Sequence, residues 1–75
     1  MDQFRRLTAI IEREDDGYVS LCPELDIAGQ GDTIEEARAN LIEALTLVFE
    51  EAHQEEVERR MRSKVLVTQI EVPVG

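Results

Sequence analysis

The chain is small and strongly acidic: 75 residues carry 17 Asp and Glu against 8 Lys and Arg, a formal net charge of −9. This length predicts a single domain over residues 1–75, and the charge argues against direct binding to nucleic-acid phosphates while it would steer a basic partner toward the surface. One Cys and one His exclude an internal disulfide and an ordinary zinc site, and no apolar run approaches the ~20 residues of a membrane helix, so we expect a cytoplasmic protein without metal or cofactor.

Three short strands are predicted in the first part of the chain. Residues 4–13 are rich in β-forming residues and have apolar groups on both faces, so this strand is expected to be covered on both sides. A hairpin turn follows, in which Gly17 supplies a positive φ, and residues 18–22 return antiparallel until Pro23 ends the ladder. Residues 25–28 form a third strand at or near an edge.

The sequence after the third strand predicts a capped amphipathic helix. Gly29 and Gly31 are interpreted as turn formers that lead into it. Thr33 and Glu36 have the spacing of a capping box, in which the Thr33 hydroxyl accepts the Glu36 N–H and the Glu36 carboxylate accepts the Thr33 N–H. Apolar residues then recur at spacings of three and four and form one stripe that packs on the sheet: Ile34, Ala37, Leu41, Ala44, Leu45, Val48 and Ala52.

The remaining residues predict a second helix and a last strand. We place a break near His53, which makes residues 54–62 a short second helix, the alternative being a continuation of the first. Residues 65–74 alternate between two faces and predict a final strand. The predicted class is therefore α+β, in the order β-β-β-α-(α)-β, with one main helix packed on a small, mostly antiparallel sheet. A domain of this size has a thin stability margin, so we also expect self-association.

Candidate chemical groups are interpreted as structural. Cys22 lies in acidic surroundings that disfavour a thiolate, and His53 lies near a helix end, where a protonated imidazole is mildly stabilised. The Gly-Gln-Gly stretch lacks the spacing of a phosphate-binding loop. Tyr18 suits either an interface contact or a half-buried position with its hydroxyl in water. Five carboxylates fall mostly in predicted turns and suit local hydrogen bonding better than Mg²⁺ or acid–base chemistry: Asp15, Asp16, Glu24, Asp26 and Asp32.

Three stretches of the chain resemble one known family. Residues 17–25 are GYVSLCPEL, residues 30–37 are QGDTIEEA, and residues 40–45 are NLIEAL. In this order they resemble the HicB family of antitoxin and antitoxin-like proteins, and the similarity extends over roughly residues 4–72. The G-D-T-x-E-E-A motif after a G-Y-V strand is fairly specific to that family.

The resemblance implies a β-β-β-α-β domain in an intracellular bacterial or archaeal protein that forms dimers or larger assemblies. It also implies a partner, a small basic HicA-type toxin that cleaves mRNA and whose active surface the antitoxin covers. Many HicB antitoxins carry a C-terminal DNA-binding segment. This chain ends at Gly75 directly after the predicted last strand, so we expect the short, single-domain form without operator binding.

Three functional hypotheses follow. The first is a non-enzymatic antitoxin-like protein that occludes a HicA-type toxin. Its contacts are expected on the acidic helix face and in the acidic loop: Glu24, Asp26, Glu36, Glu43 and Glu50. The alternative is a stand-alone homo-oligomer without a toxin partner and of unknown role, in which the charge keeps the assembly in solution. The third, a degenerate nuclease, is disfavoured because the sequence has no matching carboxylate pattern.

Overall fold

A computed structural model describes residues 4–62 and 65–75, in which three strands precede two helices. The elements are β1 (Ile10–Glu14), β2 (Gly17–Cys22), β3 (Ile27–Gly31), α1 (Ile34–Glu51) and α2 (Gln54–Arg62). The sheet has the order β1-β2-β3, and both strand pairs are antiparallel. The predicted α+β class, with a main helix on a small antiparallel sheet, is confirmed.

No helix within these described ranges is long and apolar enough to cross a membrane.

The hairpin between β1 and β2 turns at an aspartate rather than at the glycine. Glu14 pairs with Gly17, and Asp15 has a φ of 54°. Aspartate tolerates this left-handed conformation because its short polar side chain can bond locally. The prediction that Gly17 supplies the positive φ is wrong, because Gly17 is already the first residue of β2.

β1 is shorter than the predicted strand and begins at Ile10. The register that pairs Ile10 with Leu21 would place Thr8 opposite Pro23, which has no N–H for a ladder. The Glu24 carboxylate instead accepts hydrogen bonds from the Thr8 N–H (3.0 Å) and hydroxyl (2.8 Å). Residues 4–9, which we call the lead-in segment, therefore lie outside the ladder.

Of the two hydrogen bonds predicted for the capping box at the start of α1, one is confirmed and the other has a different donor. The Thr33 hydroxyl accepts the Glu36 N–H at 3.0 Å, as expected. The Glu36 carboxylate accepts the N–H of Asp32 at 2.8 Å, one residue earlier than predicted. The predicted break near His53 is confirmed, since α1 ends at Glu51 and the His53 carbonyl accepts the N–H groups of Glu56 and Val57 in the first turn of α2.

Small residues bring α1 close to β3. A Cβ on Gly29 would lie 2.9 Å from the Leu41 nitrogen, and one on Gly31 would lie 2.6 Å from the Ala37 nitrogen. Neither glycine has a positive φ. Their interpretation as turn formers is therefore wrong: they lie within β3 and permit close packing. As a result α1 lies mainly over β3 and β2 and leaves the helix-facing side of β1 largely uncovered.

The core lies between the sheet and α1, and α2 closes one end of it. Cys22, Leu25, Leu41 and Leu45 are buried together. Partly buried side chains surround them: Leu7, Ile27, Val48, Phe49 and Met61. Ser20, which is buried on the same sheet face, donates its hydroxyl to the carbonyl of Ala37 at 2.8 Å and so ties β2 to α1.

The predicted final strand is absent from the structure. Residues 65–75, which we call the tail, belong to no strand. Leu66, Ile70 and Val74 expose 83%, 79% and 95% of their surface. The alternation of the tail is typical of a strand, but a strand needs a neighbouring edge for its backbone hydrogen bonds. Within the described residues of this chain the tail has no such neighbour.

Candidate binding surfaces

An acidic stripe runs along the solvent side of α1. Glu36, Glu43 and Glu50 are seven residues apart and all exposed. This spacing is close to two helical turns, so the three side chains share one side of the helix. The buried residues Ala37 and Leu41 lie on the other side, against the sheet. The stripe is therefore a row of three carboxylates that can meet a basic partner.

A shallow acidic cavity adjoins the first residue of this stripe. It has a volume of about 550 Å³ and lies between the β1–β2 hairpin and the start of α1. Its polar lining includes Glu14, Asp15, Tyr18, Asp32, Glu36 and Asn40. Tyr18 is half-buried in its wall, a position that agrees with both of its interpretations. Because Glu36 belongs to both features, stripe and cavity form one acidic surface.

The two predicted loop acids lie at the opposite end of the sheet from this cavity. Glu24 is half-buried and already bonded to Thr8, while Asp26 is exposed and has a φ of 54°. Burial alone would raise the pKa of Glu24, but hydrogen bonds from Thr8, from its own backbone N–H and from the Cys22 thiol together outweigh burial, so the pKa is lowered. The structure thus joins the three helix acids and separates the loop acids from the cavity.

An apolar groove lies on the other flank of α1, above the lead-in segment. Its volume is about 710 Å³, and arginines lie among its walls. The apolar walls are formed by Phe4, Leu7, Ala9, Ile42, Leu45 and Phe49. Arg5 stacks over Phe49 at 5.9 Å from the ring centre and pairs with Glu58 of α2. The sequence did not predict this groove, although Ile42 and Phe49 widen the apolar stripe on that flank.

Comparison with known proteins places the chain in a family. No protein-family model and no solved structure matches it. It is 45% identical over 69 residues to a UPF0150 protein from Synechocystis sp., and the alignment covers 89% of this chain and 94% of the relative. The chain belongs to the UPF0150 family. That name assigns no activity, so the role of this UPF0150 chain is argued from its surfaces.

The remaining chemical groups of the UPF0150 chain occupy structural positions. Cys22 is fully buried, and burial together with the nearby Glu24 carboxylate raises the pKa of its thiol. His53 is exposed and lies between the C-cap of α1 and the first residue of α2, where its carbonyl accepts the N–H groups of Glu56 and Val57. Residues 4–62 and 65–75 contain no group of three side chains of the His, Cys, Asp or Glu type placed to hold a metal ion.

Proposed function

We propose that this UPF0150 chain is a non-enzymatic, antitoxin-like protein of the cytoplasm that neutralises a HicA-type mRNA-cleaving toxin by covering its active surface. The observation that carries this proposal is the acidic surface formed by the stripe on α1 and the adjoining cavity. The motifs that resemble HicB proteins supply the kind of partner. Three of the five expected contact residues, Glu36, Glu43 and Glu50, lie on that surface, while Glu24 and Asp26 stay predictions for a separate contact.

The physical argument is charge complementarity. A protein that cleaves mRNA must first bind a polyanion and therefore presents Lys and Arg where the phosphates lie. A row of exposed carboxylates on a rigid helix can occupy the same positions and exclude the RNA. Such a contact is steered by long-range attraction, so association should slow as salt is added.

The test mixes the purified chain with the HicA-type toxin encoded beside it and measures cleavage of mRNA. A triple variant, Glu36→Gln, Glu43→Gln and Glu50→Gln, should lose most of the protection, because it removes the charge and keeps the size of each side chain. Gln at position 36 preserves the capping box. The matched control is Glu12→Gln, Glu55→Gln and Glu71→Gln, which makes the same change in net charge at three exposed acids elsewhere.

The wild-type chain and the control should both abolish cleavage. Undiminished cleavage in the presence of the wild-type chain refutes the proposal. Equal loss of protection in both triple variants would refute the assignment of the contact to α1, because only net charge would then matter.

A second candidate is a homo-oligomer that has no toxin partner. The exposed apolar tail and the apolar groove favour it, since exposed apolar surface marks sites of association. The absence of a HicA-type gene beside this one would favour this candidate over the first. A mass of 8.5 kDa by light scattering, that of one chain, would contradict it.

A further inference from the structure

The tail carries the pattern of a strand without the partner that a strand requires. One face would present Leu66, Thr68, Ile70, Val72 and Val74, and the tail is exposed along its length. The radius of gyration is 14.6 Å, against about 11 Å for a compact chain of this length. The tail is therefore not folded back onto its own sheet.

The sheet offers one receptive edge to such a strand. On β3, the Asn40 amide donates to the carbonyl of Gln30 at 2.6 Å, so that edge is partly occupied by α1. On the other side, β1 is the outer strand of the sheet among the described residues. The Thr8 N–H is directed toward Glu24 on the β2 side. If the alternation of a strand continues through the lead-in segment, the N–H of Ala9 points to the outer edge.

The tail and this edge match in length, charge and shape. Residues 4–14, the lead-in segment with β1, are as long as residues 65–75. In a chain with a net charge of −9, the edge has three Arg and two Glu, a charge of +1, and the tail has one Glu, a charge of −1. The apolar groove lies above the lead-in part of this edge. Its volume of about 710 Å³ is in the range that takes a drug-sized ligand, so several aliphatic side chains fit.

We propose that the tail of one copy forms a fourth strand on the outer edge of the lead-in segment and β1 of a second copy, with its apolar face in the groove. Two copies that exchange tails reciprocally make a closed, two-fold dimer. In this dimer both tails are paired, and the β1 edge of each copy is covered. The inference rests on the self-association of the second candidate and does not require a toxin.

The first test measures mass by light scattering. The wild-type chain should run as a dimer at 17 kDa, twice the 8.5 kDa of one chain. Ile70→Asp should halve the mass to 8.5 kDa, because it places a charge in the groove. Gln69→Asp is the matched control, since it adds the same charge on the other face of the tail, and it should stay a dimer.

The second test separates exchange between copies from pairing within one chain. The edge variant is Ala9→Pro, which keeps its tail intact but loses an outward N–H on the edge. If Ala9→Pro does not fold, Ala9→Lys serves as the edge variant. The edge variant and Ile70→Asp should each be monomers alone and should form a 17 kDa species when mixed 1:1. In the mixture, the intact tail of the edge variant can pair with the intact edge of Ile70→Asp.

The contrary outcomes are distinct. A wild-type monomer overturns the exchange and the second candidate together. A wild-type dimer that Ile70→Asp does not dissociate leaves the second candidate standing and overturns the exchange. Failure of the two monomeric variants to combine also overturns the exchange.

Discussion

At the scale of single residues, Glu24 shows how one side chain replaces a missing ladder contact. Pro23 cannot donate a hydrogen bond where the register would place it opposite Thr8. The carboxylate of the next residue accepts both Thr8 donors and so fixes the chain before β1. Hydrogen bonds to an ionised acceptor are stronger than neutral ones, so this contact should depend on the charge of Glu24.

We predict that this contact weakens in acid. The pKa of Glu24 is lowered on folding, so its stabilising contribution is complete above the ordinary pKa of 4.5 and is lost as pH falls through the lower value of the folded state. Between pH 7 and pH 3, the urea midpoint of Glu24→Gln should fall less than that of the wild-type chain. The control is Glu43→Gln, which replaces an exposed acid and should follow the wild-type curve. Parallel curves for all three proteins would contradict the prediction.

At the scale of elements, the position of α1 depends on glycines within β3. A methyl group on Gly31 would approach the backbone of Ala37 and the Cβ of Glu36 at 2.5–2.6 Å, which is closer than any stable contact. Backbone atoms cannot swing aside as a side-chain end can. The helix would have to move away from β3.

We predict that Gly31→Ala lowers the free energy of unfolding by about 1–3 kcal/mol, the usual range for overpacking a tight contact. Gln30→Ala is the control, because it places the same residue one position earlier at an exposed site and should change stability by less than about 0.5 kcal/mol. Urea denaturation followed by circular dichroism gives both values. Equal stability of Gly31→Ala and the wild-type chain would show that α1 does not approach β3 closely.

At the scale of the whole molecule, repulsion among like charges opposes folding. The net charge is −9, and the described residues form two ion pairs, Arg5–Glu58 and Arg60–Glu56. Exposed pairs of this kind contribute about 0–1 kcal/mol each to stability. Added salt therefore screens little attraction between opposite charges and much repulsion between carboxylates.

We predict that the chain becomes more stable as salt is added. Raising NaCl from 0.01 M to 1 M shortens the screening length from about 30 Å to about 3 Å. The melting temperature should rise, with about 4–8 °C for each kcal/mol gained in a domain of this size. The triple variant at Glu36, Glu43 and Glu50 should gain less, because it starts with less repulsion. A melting temperature that falls with salt would show that attraction dominates.

Features that depend on neighbours in the chain were predictable. The Thr33 cap, the antiparallel hairpin, the break near His53 and the apolar stripe of α1, apart from its exposed first member Ile34, all follow from contacts within about four residues. The helix acids of the candidate surface were predictable for the same reason, since seven-residue spacing fixes their common side. The acidic cavity was not, because it joins the hairpin to α1 across the fold.

The sequence by itself determined the acidity, the order of the three strands and two helices, and the acidic side of the main helix, because local hydrogen bonds and periodicity need only nearby residues. The tertiary structure alone decided the rest. Glu24 was engaged by Thr8, sixteen residues away, and the glycines of β3 set where α1 lies and thereby opened the groove. The tertiary structure also left the tail without a neighbouring strand. A strand forms only where it can pair with another edge, and the position of that edge cannot be predicted from a local sequence pattern.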